Sequence, residues 1–270
     1  KSAFSKTPVG VFFFILRRYL PMLKFDNISF KYESDDYEMI RNLSFSVNDG
    51  EFISIIGASG CGKSTIFRLI NGLEKPDNGK IFIDERPIEQ QKNYSSYMPQ
   101  RDLLFPWRTI EKNICIPMEI QNKNKKEMHE KATAMLDEVG LLSYKNKYPR
   151  DLSGGMRQRA SFARTLLAGA GLLLLDEPFS ALDSLTRIGL QEWLLQEWEK
   201  HKKTILFVTH DVEEAIFLSQ KIFVITDRPI THFEEYIIPL DYPRNRADLK
   251  REDIVLLREE LIKKLRQEEA

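Results

Sequence analysis

The 270-residue sequence contains only two cysteines, Cys61 and Cys115, far apart in the chain. That excludes a disulfide scaffold and zinc-ligand spacing, and it suits a reducing cytosol. No apolar run approaches the ~20 residues needed to cross a bilayer. Any membrane role must therefore come through a partner. Net charge is missing too, because 40 basic residues balance 40 acidic ones. Bulk attraction to nucleic acid is thereby removed, and only a local basic face stays open. The length suits one large domain or two modest ones.

What is present is organised around Gly57-Ala58-Ser59-Gly60-Cys61-Gly62-Lys63-Ser64-Thr65. An apolar run over 51–56 precedes it and reads as a buried strand. Residues 66–72 follow and read as a helix ending at Gly72. Strand, glycine-rich loop and helix form the context of a phosphate-binding loop, and Gly57, Gly62, Lys63 and Ser64 meet its pattern. Phosphate oxygens need several donors at once, so the backbone must curl inward, which glycines permit. The helix starting near Lys63 aims its positive end at the anion. Lys63 adds a full charge near the outer phosphates, and the Ser64 hydroxyl is a ligand for Mg²⁺. Cys61 reads as a small residue filling a loop position. A nucleotide and Mg²⁺ are the expected ligands.

Residues 1–21 look foreign to the rest. Their apolar core, 11–16, is flanked by Lys6, Arg17 and Arg18. A secretory signal would want a longer core and a small-residue cleavage site. A membrane-surface anchor is a second reading. The favoured one makes Met22 the natural start, with 1–21 as non-native or upstream leader.

Strand patterns follow at 23–30 and 43–47, joined by Tyr32, an aromatic able either to stack on a base or to pack on the sheet. Further strands are expected at 80–83 and 94–98, the latter leading to Gln100. Residues 101–150 turn Lys-, Asn- and Glu-rich, with helical periodicity over 109–120 and 125–139. They read as a helical insertion, with Phe105-Pro106-Trp107 either in the core or at a partner contact. Ser153 is a natural N-cap, and Gly154 and Gly155 bare the N–H groups behind it, making a second anion-binding helix start. The run Leu172–Leu175 reads as a strand buried on both faces. It ends in Asp176, placed to hold Mg²⁺, and Glu177, placed to polarise water. A strand at 203–209 carries His210 to the same catalytic edge. The tail 247–268 has Ile254, Leu257, Leu261 and Leu265 at helical spacing and reads as an amphipathic helix docked on its own domain.

Together these residues resemble the nucleotide-binding subunit of ATP-binding cassette transporters, from about Met22 to Pro239. Gly57–Thr65 corresponds to the Walker A loop and Leu172–Glu177 to Walker B with its glutamate. Leu152–Met156 corresponds to the LSGGQ signature, with Met156 where glutamine is usual. Gln100 matches the Q-loop, Ser180–Asp183 the D-loop, His210 the switch histidine and Tyr32 the adenine-stacking aromatic. The resemblance implies an α/β P-loop fold: a RecA-like parallel-sheet core, an antiparallel β subdomain, a helical subdomain at about 101–165 and a C-terminal helix within 241–270. It implies a head-to-tail homodimer, each ATP held by one copy's Walker A and the other copy's Ser153, Gly154 and Gly155. Mg²⁺ would sit with Ser64, Gln100 and Asp176. Glu177 would orient water, while His210 would meet the γ-phosphate and link to Asp183 across the dimer. Membrane permease subunits would contact about 101–151 on the cytoplasmic face, fed by an extracytoplasmic solute-binding protein. Residues 104–109 are similar to a stretch of importers for nitrate, sulfonates, taurine or pyrimidine thiamine precursors. Soluble cassettes acting on DNA would need long coiled-coil insertions, and ribosomal ones two cassettes in one chain. A nonhydrolytic regulatory cassette is argued against by Glu177 and His210.

Overall fold

A computed structural model describes residues 21–267. The readings made for residues 1–20 lie outside the described residues. Two sheets form its frame. Strand β1 (Pro21–Phe30) pairs antiparallel with β2 (Ile40–Asn48) and with β4 (Asn78–Ile83), and β4 pairs with the short β5 (Arg86–Pro87). A second, six-stranded sheet runs β10-β9-β3-β8-β7-β6. Its strands are β3 (Phe52–Gly57), β6 (Ser95–Met98), β7 (Leu172–Asp176), β8 (Thr204–Val208), β9 (Lys221–Ile225) and β10 (Glu234–Ile237). All neighbours pair in parallel except the β9–β10 edge.

Every residue of β3, β7 and β8 is buried, as strands covered on both faces must be. Alternation sends their side chains to different cores. Leu173, Leu175, Ile205 and Phe207 pack into the helical layer, while Leu172, Leu174, Leu206 and Val208 pack toward the antiparallel sheet. Helix α1 (Lys63–Ile70) buries Ile66, Phe67, Leu69 and Ile70 on the side of the antiparallel sheet, whereas the helical layer includes α2 (Ile110–Ile114), α3 (Ile116–Ile120), α4 (Lys125–Glu138), α5 (Gly154–Leu167), α6 (Ser184–His201) and α7 (Val212–Leu218). The periodicity over 109–120 resolves into two short helices rather than one. Pro117, in the first turn of α3, has no N–H to continue the ladder of α2.

The parallel register fixes which residues share the sheet's carboxyl edge. Asp176 pairs with Val208, Ile55 with Val208, and Gly57 with Ile225. The phosphate loop, Asp176-Glu177 and Thr209-His210 therefore leave the sheet side by side at its carboxyl edge. Residues beyond β10 form a 3₁₀ turn (Arg246–Lys250) and α8 (Glu252–Gln267). Helix α8 buries Ile254 and Leu261 against Ile216, Ile222 and Val224. Arg258 pairs with Glu213 at 2.6 Å, and Lys264 with Glu234. Exposed pairs such as these add little, so the apolar contacts carry the docking. Leu261→Ala is expected to cost about 2–5 kcal/mol, whereas Leu256→Ala, on the solvent face, should stay within about 0.5 kcal/mol. Urea unfolding of the two variants compares them, and matching midpoints would refute the docking.

Candidate active site

The loop after β3 curls as its glycines permit. Gly60 and Gly62 hold φ of +72° and +111°, a region that side-chain-bearing residues avoid. A Cβ on Gly57 would lie 2.9 Å from Cys61 Sγ and 3.0 Å from Ile225 Cβ. Cys61 is thus buried packing beneath the loop. Lys63 opens α1 and is 8 % exposed. Its Nζ donates to the carbonyls of Gly57 at 2.7 Å and Ala58 at 2.8 Å, which sets the ammonium over the loop's mouth. Arg228 donates to the Ser59 carbonyl at 2.7 Å and braces the loop from outside.

Asp176 is 3 % exposed at the end of β7. Burial pushes its carboxyl above the usual range, while a hydrogen bond with Ser64 and the charge of Lys63 oppose that rise. A desolvated carboxylate beside a hydroxyl is a hard-oxygen donor pair, which a divalent cation would satisfy. The residues present therefore fit Mg²⁺. Glu177 follows with φ of +49°, a conformation costing ~1–3 kcal/mol that persists only when the surroundings over-determine it. They do so here. Its N–H donates to Val208 O at 2.9 Å, and its carbonyl accepts from Gln158 Nε2 at 2.9 Å and Ser180 Oγ at 3.0 Å. The side chain then points at the loop's edge. Glu177 Oε2 accepts from Gln100 Nε2 at 3.1 Å and lies 3.5 Å from His210 Nδ1.

One cavity of about 740 Å³ is lined by Gly57–Gly60, Gly62–Thr65, Gln100, Asp176, Glu177 and His210. The other expected residues stand apart from it. Ser153 caps α5, accepting from Met156 N–H at 3.3 Å. Gly154 follows it in the first turn. A Cβ on Gly155 would meet Ala181 O at 3.0 Å, so that glycine lets the helix pack on the turn before α6. Asp183 caps α6, and Thr186 N–H at 3.0 Å holds its carboxyl below the usual range. Tyr32 is not among the lining residues. Its hydroxyl shares a hydrogen bond with Thr65 Oγ1 at 3.1 Å, and its ring meets Phe30 edge-on.

Some lining residues are not marked by the sequence as belonging to a site. Met39, Val212, Ile262, Leu265 and Arg266 complete the wall. Three of them come from α8, whose direction only docking decides. Gln158 is a more readable omission. It lies one turn past the glycine pair and is 4 % exposed, bridging Glu177 O to Ala181 N–H.

A phosphate loop, a buried strand-end carboxylate and a clamped glutamate on a parallel sheet define a P-loop nucleotide hydrolase. The ABC transporter family model matches residues 40–180, and the chain belongs to that family as an importer-type ATPase. The formylaminopyrimidine import ATP-binding protein ThiZ of Halalkalibacterium halodurans is 44 % identical over 252 residues, covering 90 % of this chain and 98 % of that one. The nitrate import ATP-binding protein NrtD of Synechocystis is 40 % identical, covering 79 % and 82 %. The aliphatic sulfonates import ATP-binding protein SsuB of Bacillus thuringiensis is 39 % identical, covering 81 % and 86 %. Among solved structures, the dimeric post-hydrolysis cassette MJ0796 bound to ADP and Pi matches with a TM-score of 0.73 at 27 % identity, covering 82 % of this chain and all of that one.

Lys63→Ala removes the only full charge within the loop. Charge-assisted hydrogen bonds are worth ~1.5–3 kcal/mol, so ATP should bind roughly ten- to a hundredfold more weakly. Titration with a fluorescent ATP analogue reads this directly, and unchanged affinity would remove Lys63 from the site.

Proposed function

We propose that this chain drives uptake of a small solute of the nitrate, sulfonate, taurine or pyrimidine thiamine-precursor kind, as a head-to-tail homodimer beneath membrane permease subunits. The observation that carries the dimer is the split site. Loop, strand-end acids and His210 line one cavity, while Ser153, Gly154 and Gly155 stand outside it. A second anion-binding helix start is explained if it serves a second copy's nucleotide. The names of the import proteins reported above support the cargo class.

In this reading the loop N–H groups and Lys63 hold the β- and γ-phosphates. Tyr32 faces the base after release from Thr65. Ser64, Asp176 and Gln100 would hold Mg²⁺, which when bound neutralises charge on the phosphate oxygens. Glu177 orients the attacking water and draws off its proton. Gln100 and His210 hold that carboxylate from two sides, and His210 meets the γ-phosphate as the partner's Asp183 braces it. Preorganised charge in a closing interface is the main catalytic term.

A second groove, of about 690 Å³, supports a coupling surface here. It runs from Ser64, Gln100 and Asp176 to Leu103, Phe105 and Pro117. Beside it Trp107, 71 % exposed, stacks on Phe105. Apolar side chains bared at such a groove mark a contact, and a permease seated there touches the same residues that feel the metal. Attachment would be peripheral, at the cytoplasmic face, with the solute-binding protein engaged only indirectly and no nucleic acid involved.

Glu177→Gln should keep ATP binding, arrest turnover and trap a dimer, which light scattering with ATP detects. Undiminished hydrolysis would refute the role of Glu177. In mixed dimers, Ser153→Arg on one copy should silence the nucleotide site of the other. If the damage fell on the copy that carries the substitution, the head-to-tail arrangement would fail.

A further inference from the structure

The arrangement leaves one buried acid without a part in the chemistry. Glu214 lies in the first turn of α7, four residues after His210, and is 7 % exposed. A helix start needs no buried carboxylate. Glu213 beside it is exposed, and Asp211 already caps the helix, accepting from Glu213 N–H at 2.9 Å and Glu214 N–H at 3.2 Å. Burying a charge is unfavourable unless its oxygens are fully engaged. Here both are. Oε2 accepts from the Thr209 hydroxyl at 2.6 Å, and Oε1 accepts from Gln191 Nε2 at 2.7 Å.

These partners decide what the carboxylate does. Thr209 immediately precedes His210, and its hydroxyl also accepts from Asp211 N–H at 3.0 Å. Thr209 is therefore tied directly to Glu214 Oε2, and Asp211 is tied to it through the Thr209 hydroxyl. The other oxygen is anchored to α6, the helix that Asp183 begins. Arg187 of α6 lies 3.9 Å from Glu214 and 4.0 Å from Asp211. Gln191 in turn accepts from Arg246, in the turn before α8. His210 itself is 66 % exposed at its side chain and meets Glu177 at 3.5 Å. Its own packing does not hold it at that distance, so the loop beneath it must.

We propose that Glu214 is a positioning residue for His210, fixing the loop 209–211 against α6 and the C-terminal segment so that the imidazole meets Glu177 and the γ-phosphate. This rests on the reading of His210 given above. It adds a physical link from the Asp183 helix and the tail to the switch histidine.

Steady-state ATPase kinetics on the full chain test it with Glu214→Ala, Glu214→Gln, Thr209→Val, His210→Ala and the double variant Glu214→Ala/His210→Ala. Misplacement of about 1 Å costs roughly 10²-fold, so Glu214→Ala should lower kcat by that order and leave KM for ATP nearly unchanged. Thr209→Val should move kcat the same way. Glu214→Gln keeps one acceptor and should recover part of the rate. Because Glu214 acts through His210, the double variant should be no slower than His210→Ala alone. Multiplying losses, wild-type kcat in Glu214→Ala, or a KM that rises as kcat falls would each overturn the proposal. Full turnover in His210→Ala would instead overturn the histidine's role, and this inference with it. If Glu214→Ala fails to fold, Thr209→Val, which loses one hydroxyl, carries the same cycle.

Discussion

Parallel pairing of β3, β8 and β7 is the constraint on which the site depends. Parallel neighbours end at the same edge, so residues far apart in the chain leave the sheet together. Gly57, Asp176 and His210 owe their proximity to that pairing rather than to any direct bond among them. The cost of a parallel sheet is that both faces must be covered. The apolar side chains of β7 and β8 meet helices on one side and the antiparallel sheet on the other. Stability and catalytic geometry therefore share one source.

Around that edge the chain fixes Glu177 through hydrogen bonds to its peptide groups. The glutamate at 177 keeps a left-handed backbone because Val208, Gln158 and Ser180 bind its peptide groups. The turn at 180–183 is held in the same way, with Gln158 reaching it from α5. The helix bearing the second glycine pair, the turn opening α6 and the end of β7 thus form one hydrogen-bonded unit. Movement of that helix against the sheet would be felt at Glu177 without a long relay.

The C-terminal segment belongs to the same mechanics. It is anchored by burial of Ile254 and Leu261, yet its far end lines the cavity above the phosphate loop and its near end reaches Gln191. A tail that looks peripheral in the chain therefore shares a groove with His210 and Asp211. Its placement follows from docking on β9, β10 and α7, which bring the apolar stripe and the cavity wall onto neighbouring sides of one helix.

Much of this was legible in the chain itself, for a physical reason. A glycine loop that must bind phosphate, a strand that must be buried on both faces and a helix that must be capped each impose a local pattern, and 57–65, 172–177 and 152–156 carry those patterns openly. The periodicity of the tail likewise announced an apolar stripe. What only the tertiary structure decided was which patterns meet. Tyr32 bonds to Thr65, Arg228 braces the loop, Gln158 bridges two elements, and Glu214 accepts from Gln191 of α6. None of these contacts has a spacing rule, because each joins segments whose separation in the chain says nothing about their separation in space.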